Sequence, residues 1–427
     1  MSDEPAALET SPPLVGAEPF FGWRVLIATF MAQFISASVT FAPFGVFVVP
    51  LVSDFDTTRG KLSNALSIGF LLMGLLGPWV GTLLDRGHAR RAMTAGLVVC
   101  GGGLIAMSFA QELWLLGAIY CGCVCAGTAF YGMNPSMWMA TQWFDHKRGL
   151  ALGITVAGAT FGSMITPPLA AWLIETSGWR DALWILGAGA LVLGIPAFAI
   201  YAIAHPDEVG QRPLTEPAAE DAPSSSGTAP AAFEMEPVET GTLLRDVRLW
   251  LIAVGFAFVF TSPIVMMAWL VPFAEDLGIT LQDAAYFFSA SAPFSILSKI
   301  VFGWLSDRMP PRIAIWTVAG VNGACWALLL IDPGYTAFLM IGALYGIGIG
   351  AAGPLHAVTI ARCFGPMAFG RAAGLGGLAG LPLIAATPAI AGYLFDQTAS
   401  YHTVFQLEVA LMVVGGLLLS IPRIPKA

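Results

Sequence analysis

The chain has 427 residues, 57% of them hydrophobic and only 11% charged, against about 25% charged in a soluble globular domain. So few charges cannot cover a water-facing surface, which excludes a soluble enzyme and a nucleic-acid-binding module. The net charge of −8 points to no partner, because twelve of the 27 acids lie before residue 19 or between Asp207 and Glu239.

Residues 1–22 open the chain as an acidic Pro/Ala tail, and the apolar run behind it is too long for a removable signal. Six apolar stretches follow, at 23–50, 62–84, 92–110, 113–140, 149–174 and 180–204. Each offers the roughly 20 residues that a helix needs to cross a hydrocarbon core. Residues 205–245, with Pro213, Pro217, Pro223, Ser224 to Ser226, Pro230 and Pro237, have the makeup of a flexible linker. Six more stretches run at 246–273, 282–305, 313–331, 335–361, 372–395 and 402–422, before a short tail at 423–427. The expected fold is all-α and membrane-integral, with twelve transmembrane helices in two six-helix bundles, 23–204 and 246–422.

The two bundles are repeats. Gly81-Thr-Leu-Leu-Asp85-Arg86, followed by Arg90 and Arg91, returns as Gly303-Trp-Leu-Ser-Asp307-Arg308, followed by Arg312, at an offset of 222 residues. Gly178-Trp179 matches Ser400-Tyr401 at the same offset. Two pseudo-equivalent bundles around a midplane site are the build of a secondary transporter.

The basic residues orient it. With both termini inside the cell, fifteen Lys and Arg face the cytoplasm and only Arg59, Lys61 and Arg180 face out, as the positive-inside rule requires. The expected location is the cell (inner) membrane. No P-loop, dinucleotide fingerprint or nucleophile elbow is present, so neither an ATP-driven pump nor an enzyme is expected. The six cysteines lie in or beside spans, and Cys121, Cys123 and Cys125 do not converge on one helix face. No cofactor or metal is expected, and a monomer suffices for function.

The clusters at 81–91 and 303–312 resemble the loop signature of the major facilitator superfamily, which joins helices two and three and again eight and nine. That resemblance implies a conformational latch: Gly81, Asp85, Arg86 and Arg90, with Gly303, Asp307, Arg308 and Arg312, would hold the halves together on the cytoplasmic side in one state. A narrower resemblance, to the monocarboxylate transporters and their oxalate:formate antiporter relatives, rests on Phe21-Gly22-Trp23, Asn134-Pro135, Trp143-Phe144-x-x-Lys147-Arg148 and Gly178-Trp179-Arg180.

Lys299 is the one base well inside a span, eight residues or about 12 Å of helix before Asp307. A charge near the bilayer middle costs at least ~2.5–3.5 kcal/mol, so it should face a wet cavity or a partner, and a lone cation there suits an anionic ligand. The alternatives are a side chain that snorkels to the interface or a buried structural one, neutral or paired with an acid such as Glu408. In the resembled family this place corresponds to an arginine that binds the substrate carboxylate, followed here by Ile300-Val-Phe-Gly303. Ser295 stands where that family commonly has an aspartate, and Ala42 near where it often has a lysine, which leaves proton coupling open. Glu408 reads as a solvated helix end. Asn134 before Pro135, Tyr131, Tyr345 and His356 are further candidates for the ligand or proton, with helix packing the alternative for each.

The expected function is therefore alternating-access transport of a small organic anion, a monocarboxylate such as lactate or pyruvate, by proton symport. An anion exchanger and a proton-antiport exporter are the alternatives.

Overall fold

The computed structural model describes residues 20–144, 148–212, 240–306 and 308–422. Among them there is no strand, and the chain runs as apolar helices long enough to cross a membrane. We number the spans α1 (Gly22–Asp54), α2 (Arg59–Asp85), α3 (Ala89–Ser108) and α4 (Leu113–Trp143). The helical run Arg148–Tyr201 follows, bent at Gly178, where φ is 84° and ψ 163°. Only glycine accommodates that backbone without strain, so the run is two spans, α5 (148–177) and α6 (179–201). The second half comprises α7 (Val247–Asp276), α8 (Leu281–Ser306), α9 (Pro311–Leu329), α10 (Tyr335–Phe364), α11 (Ala372–Thr398) and α12 (Tyr401–Ser420).

The boundaries follow from local chemistry. Thr58 caps α2 by accepting from Lys61 N, Asp246 caps α7 by accepting from Arg248 N, and Ser400 caps α12 by accepting from His402 N. The Arg248 side chain beside Asp246 also holds that carboxyl below the usual carboxylate range. Leu75, Trp114, Val192 and Ile300 are exposed on the outer faces, where lipid rather than water is the solvent.

Two helices depart from regular geometry inside the bilayer. α1 passes through a π-helical turn at Ala37–Phe41, and α4 through another at Tyr120–Cys125. The two turns meet: Tyr120 Oη donates to Thr40 O at 2.9 Å, and the Thr40 and Thr128 hydroxyls lie 2.7 Å apart. α4 breaks again at Phe130–Gly132 and restarts at Met133. Pro135 therefore stands in a first helical turn, where its missing N–H costs nothing, and not inside a helix as the sequence suggests.

The stretch after α6 is not a free linker from residue 205 onward. Pro206–Val209 forms a 3-10 turn, Trp143 Nε1 donates to Ile203 O at 2.9 Å, and Phe21 N donates to Gln211 Oε1 at 2.9 Å. The chain from 202 to 212 is thus docked on the basic end of the first half. The expected tail and most of the expected linker, 1–19, 213–239 and 423–427, lie outside the described residues.

The halves meet along two walls, α2 against α11 and α5 against α8, and the end of α1 packs on α7 as well. The 222-residue offset carries α2 onto α8 and α5 onto α11, so the walls are equivalent under the internal repeat.

Candidate functional site

Hydrogen bonds between the halves begin at the end carrying the α1–α2 turn. Arg59 at the start of α2 makes a two-pronged ion pair with Asp276 at the end of α7, at 2.9 and 3.0 Å. Its guanidinium also lies over the rings of Phe395 and Tyr401, 5.2 and 5.3 Å from their centroids. Thr58 Oγ1 donates to Asp396 at 2.9 Å, and Gln282 N donates to Glu175 at 3.2 Å. Beside them the backbones of Gly60 and Gly392 touch; a Cβ on Gly392 would stand 2.6 Å from Gly60 Cα.

Deeper along the seam, Ala389 N donates to Ser67 Oγ at 3.0 Å and Ser289 Oγ donates to Met164 O at 2.6 Å. Deeper still, Lys299 Nζ donates to Thr160 Oγ1 at 2.6 Å. That bond runs from α8 to α5 and joins the two halves near mid-membrane. Lys299 is partly buried on the side of α8 away from Leu297 and Ile300, which are exposed to lipid. The sequence leaves three readings of this lysine open; the described contact is neither a snorkel to the interface nor a pair with Glu408.

The other candidates do not gather around it. Tyr131 is fully buried inside the first half, its hydroxyl 3.3 Å from both Cys100 Sγ and Thr128 Oγ1 and its ring against Phe198. Such a side chain offers nothing to a ligand in the seam. Tyr345 is likewise buried, its ring beside Phe287. His356 on α10 is partly buried, its ring edge-on to Phe256 and Phe260 of α7, with centroids 4.7 and 5.5 Å away. Asn134 is exposed at the restart of α4, in the first turn of a helical segment. There backbone N–H groups point free and favour negative charge.

Glu408 is not a solvated helix end. It is 1% exposed, because Ser400 starts α12 two turns earlier, and it contacts Thr261 of α7.

At the basic end, Arg90 Nε donates to Ala202 O at 3.3 Å within its own half, Arg86 is exposed, and Arg312 borders a shallow cleft with Ile313, Trp316 and Thr317. Gly81 has open space about it, and Arg308 is engaged. Asp307 and the side chain of Asp85 lie outside the described residues, and Gly303 lies within α8. Among the described residues, the Arg59–Asp276 pair at the opposite end is an ion pair that joins the two halves. Sequence reasoning missed Arg59, Asp276 and Thr160, whose partners are 139 to 217 positions away.

Two six-helix halves that meet along equivalent walls define a multi-pass membrane transporter. The family model described as "Major Facilitator Superfamily" matches residues 25–381 and 264–427, and the chain belongs to that superfamily. It resembles the monocarboxylate transporters. It is 27% identical to monocarboxylate transporter 13 of Rattus norvegicus, covering 97% of this chain and 91% of the relative. It is 26% identical to monocarboxylate transporter 12 of Homo sapiens, covering 98% and 83%, and 24% identical to human monocarboxylate transporter 2, covering 99% and 88%. Among solved structures, a bacterial homolog of the human lysosomal transporter Spinster, crystallised inward-facing and unoccupied, superposes with a TM-score of 0.68 at 15% identity. That match covers 95% of this chain and 97% of the other. The inward-facing, occupied form of that homolog gives 0.64.

Proposed function

We propose that the protein is a secondary active transporter of a small organic anion, a monocarboxylate, working by alternating access with proton symport. The observation that carries this reading is Lys299: a cation near mid-membrane, in the seam between the halves, whose described partner is a neutral hydroxyl. A hydroxyl leaves its charge uncompensated but holds the ammonium in place, and a carboxylate would add a charge-assisted bond beside that contact. The names of the relatives support the same substrate class. With the basic loops in the cytoplasm and both termini inside, the closed Arg59–Asp276 end is the external one. The carrier then works as a monomer, and opening of that end admits substrate.

Phe256, Phe260 and His356 lie on helices seven and ten and set the size of an apolar wall; Asn134 presents the free N–H groups of a helix start. Neither role involves a cofactor. The test is uptake of labelled lactate or pyruvate into proteoliposomes under an inward proton gradient, comparing wild type with Lys299→Ala. Accumulation by wild type and its loss, by at least about a hundredfold, in the variant is the expected result. Wild-type uptake by Lys299→Ala would defeat the assignment of the lysine. Exchange of preloaded acid without gradient-driven accumulation would replace symport by anion exchange, the reading that serine at position 295 favours.

A further inference from the structure

Glu408 is the acid that this transport reading leaves without a task. It lies on α12, and its side chain is buried where α12 packs on α7 and α9. Its described hydrogen-bond partner is Thr261 of α7: Oε2 stands 3.1 Å from Thr261 Oγ1, while Oε1 is buried without a partner among the described residues.

Bases lie elsewhere. On α7, Arg248 sits in the first turn, bound to Asp246; on α9, Arg312 is at the start of the helix beside Trp316; on α12 itself, His402 binds Asp332. On α10, His356 lies against Phe256 and Phe260. The titratable group near Glu408 is the buried Tyr345 phenol of α10, and the buried Cys325 thiol of α9 lies near that phenol in turn. Neither is a cation. An ionised carboxylate in such surroundings would carry a desolvation cost of several kcal/mol with no ion pair to offset it.

Hydrogen counting gives the same answer independently. A hydroxyl has one hydrogen. Thr261 Oγ1 lies 2.7 Å from the carbonyl oxygen of Phe258, which can only accept, and 3.1 Å from Glu408 Oε2. The hydrogen of Thr261 therefore belongs to the shorter contact, with Phe258 O. The contact with Glu408 is then a hydrogen bond only if the carboxyl brings the proton, with Oε2–H donating to Thr261 Oγ1.

We propose that Glu408 is a proton-binding site of the carrier, holding its proton on the oxygen that faces Thr261 in this conformation and exchanging it with water when α12 and α7 shift during the cycle. Binding is the reaction of a carboxylate with one proton, and no other reactant is needed. The proposal builds on the transport reading but assigns the coupling proton to a residue within the second half, away from the Lys299 seam. Gated access then follows from the burial, because the site reaches water only after the helices around it rearrange.

The first arm of the test does not depend on the substrate. Infrared spectra of the purified protein in lipid at neutral pH are compared between wild type and Glu408→Gln. A carboxylic-acid carbonyl band present in wild type, absent in the variant, and shifted after transfer to heavy water is expected. No difference band, or one that does not shift on prolonged incubation in heavy water, overturns the proposal. Thr261→Val is the second variant, should the first fold poorly: it keeps the acid band but moves it, since the acceptor is gone, and an unmoved band rejects the hydrogen bond. The second arm uses proteoliposomes. Glu408→Gln keeps exchange of labelled against internal unlabelled lactate near the wild-type rate and loses at least about tenfold of proton-driven accumulation. Undiminished accumulation overturns the proposal. A wild type that moves neither lactate nor pyruvate sinks the substrate reading alone, with the infrared arm still deciding for or against Glu408.

Discussion

At the scale of single residues, the Lys299–Thr160 contact ranks what each side chain contributes. A hydrogen bond to a charged group is worth about 1.5–3 kcal/mol net, and every 1.4 kcal/mol is tenfold. Thr160→Val removes the hydroxyl but leaves the charge, so initial uptake rates should fall roughly tenfold, and Thr160→Ser should restore them. Lys299→Arg keeps a cation on a longer, two-pronged head and should retain partial transport with altered preference among acids. A Thr160→Val variant that transports at the wild-type rate would remove the threonine from the site. The lysine was legible in the sequence because a charge among apolar residues needs a reason. Its partner was not, since a threonine in a membrane helix can satisfy itself on the preceding turn, as Thr155 does on Ala151 O. Tyr131 and Glu408 were misread for a related cause. Sequence shows a polar group in a span, but not whether Cys100 and Thr128, or Thr261, stand ready to receive it.

At the scale of elements, the twelve spans could be read from hydropathy and length because a membrane helix must satisfy its backbone internally. The turn between α5 and α6 was marked by Gly178, and the corresponding turn between α11 and α12 uses Ala399 at φ 50°. Departures inside the spans left no such mark. A π-helical turn bonds five residues ahead and survives only where something outside it fills the broken ladder, and here that is the Tyr120 hydroxyl on Thr40 O. Tyr120→Phe keeps the ring beside Phe44 but orphans a buried carbonyl, at a cost of about 1–3 kcal/mol. The unfolding midpoint of the variant in detergent should drop measurably below that of wild type. An unchanged midpoint would mean that the tyrosine does not hold the two turns together.

At the scale of the whole molecule, the 222-residue repeat announces the equivalence of the two seam walls, yet the latch that closes one end of them obeys no repeat. Arg59 corresponds by offset to Leu281, so the ion pair with Asp276 has no counterpart under the internal repeat. The Arg59 side chain is 17% exposed and that of Asp276 50%, so the pair itself is worth no more than about 1 kcal/mol. Each ring under the guanidinium adds about 0.5–1 kcal/mol. Losing all of these contacts together, roughly 1–3 kcal/mol, should shift the balance between closed and open forms of this end by about ten- to a hundredfold. Arg59→Ala should therefore speed amide hydrogen exchange at residues 55–62 and 392–400, leaving the basic-end helix starts of α3 and α9 unchanged. Asp276→Ala should do the same to a smaller extent, because the aromatic contacts of Arg59 survive it. The charge-swapped double variant, Arg59→Asp with Asp276→Arg, should recover part of the protection, since a double-mutant cycle isolates the pairwise term. Exchange as slow in Arg59→Ala as in wild type would show that the remaining contacts, Gly60 on Gly392, Thr58 to Asp396 and Gln282 to Glu175, hold the end closed without the arginine.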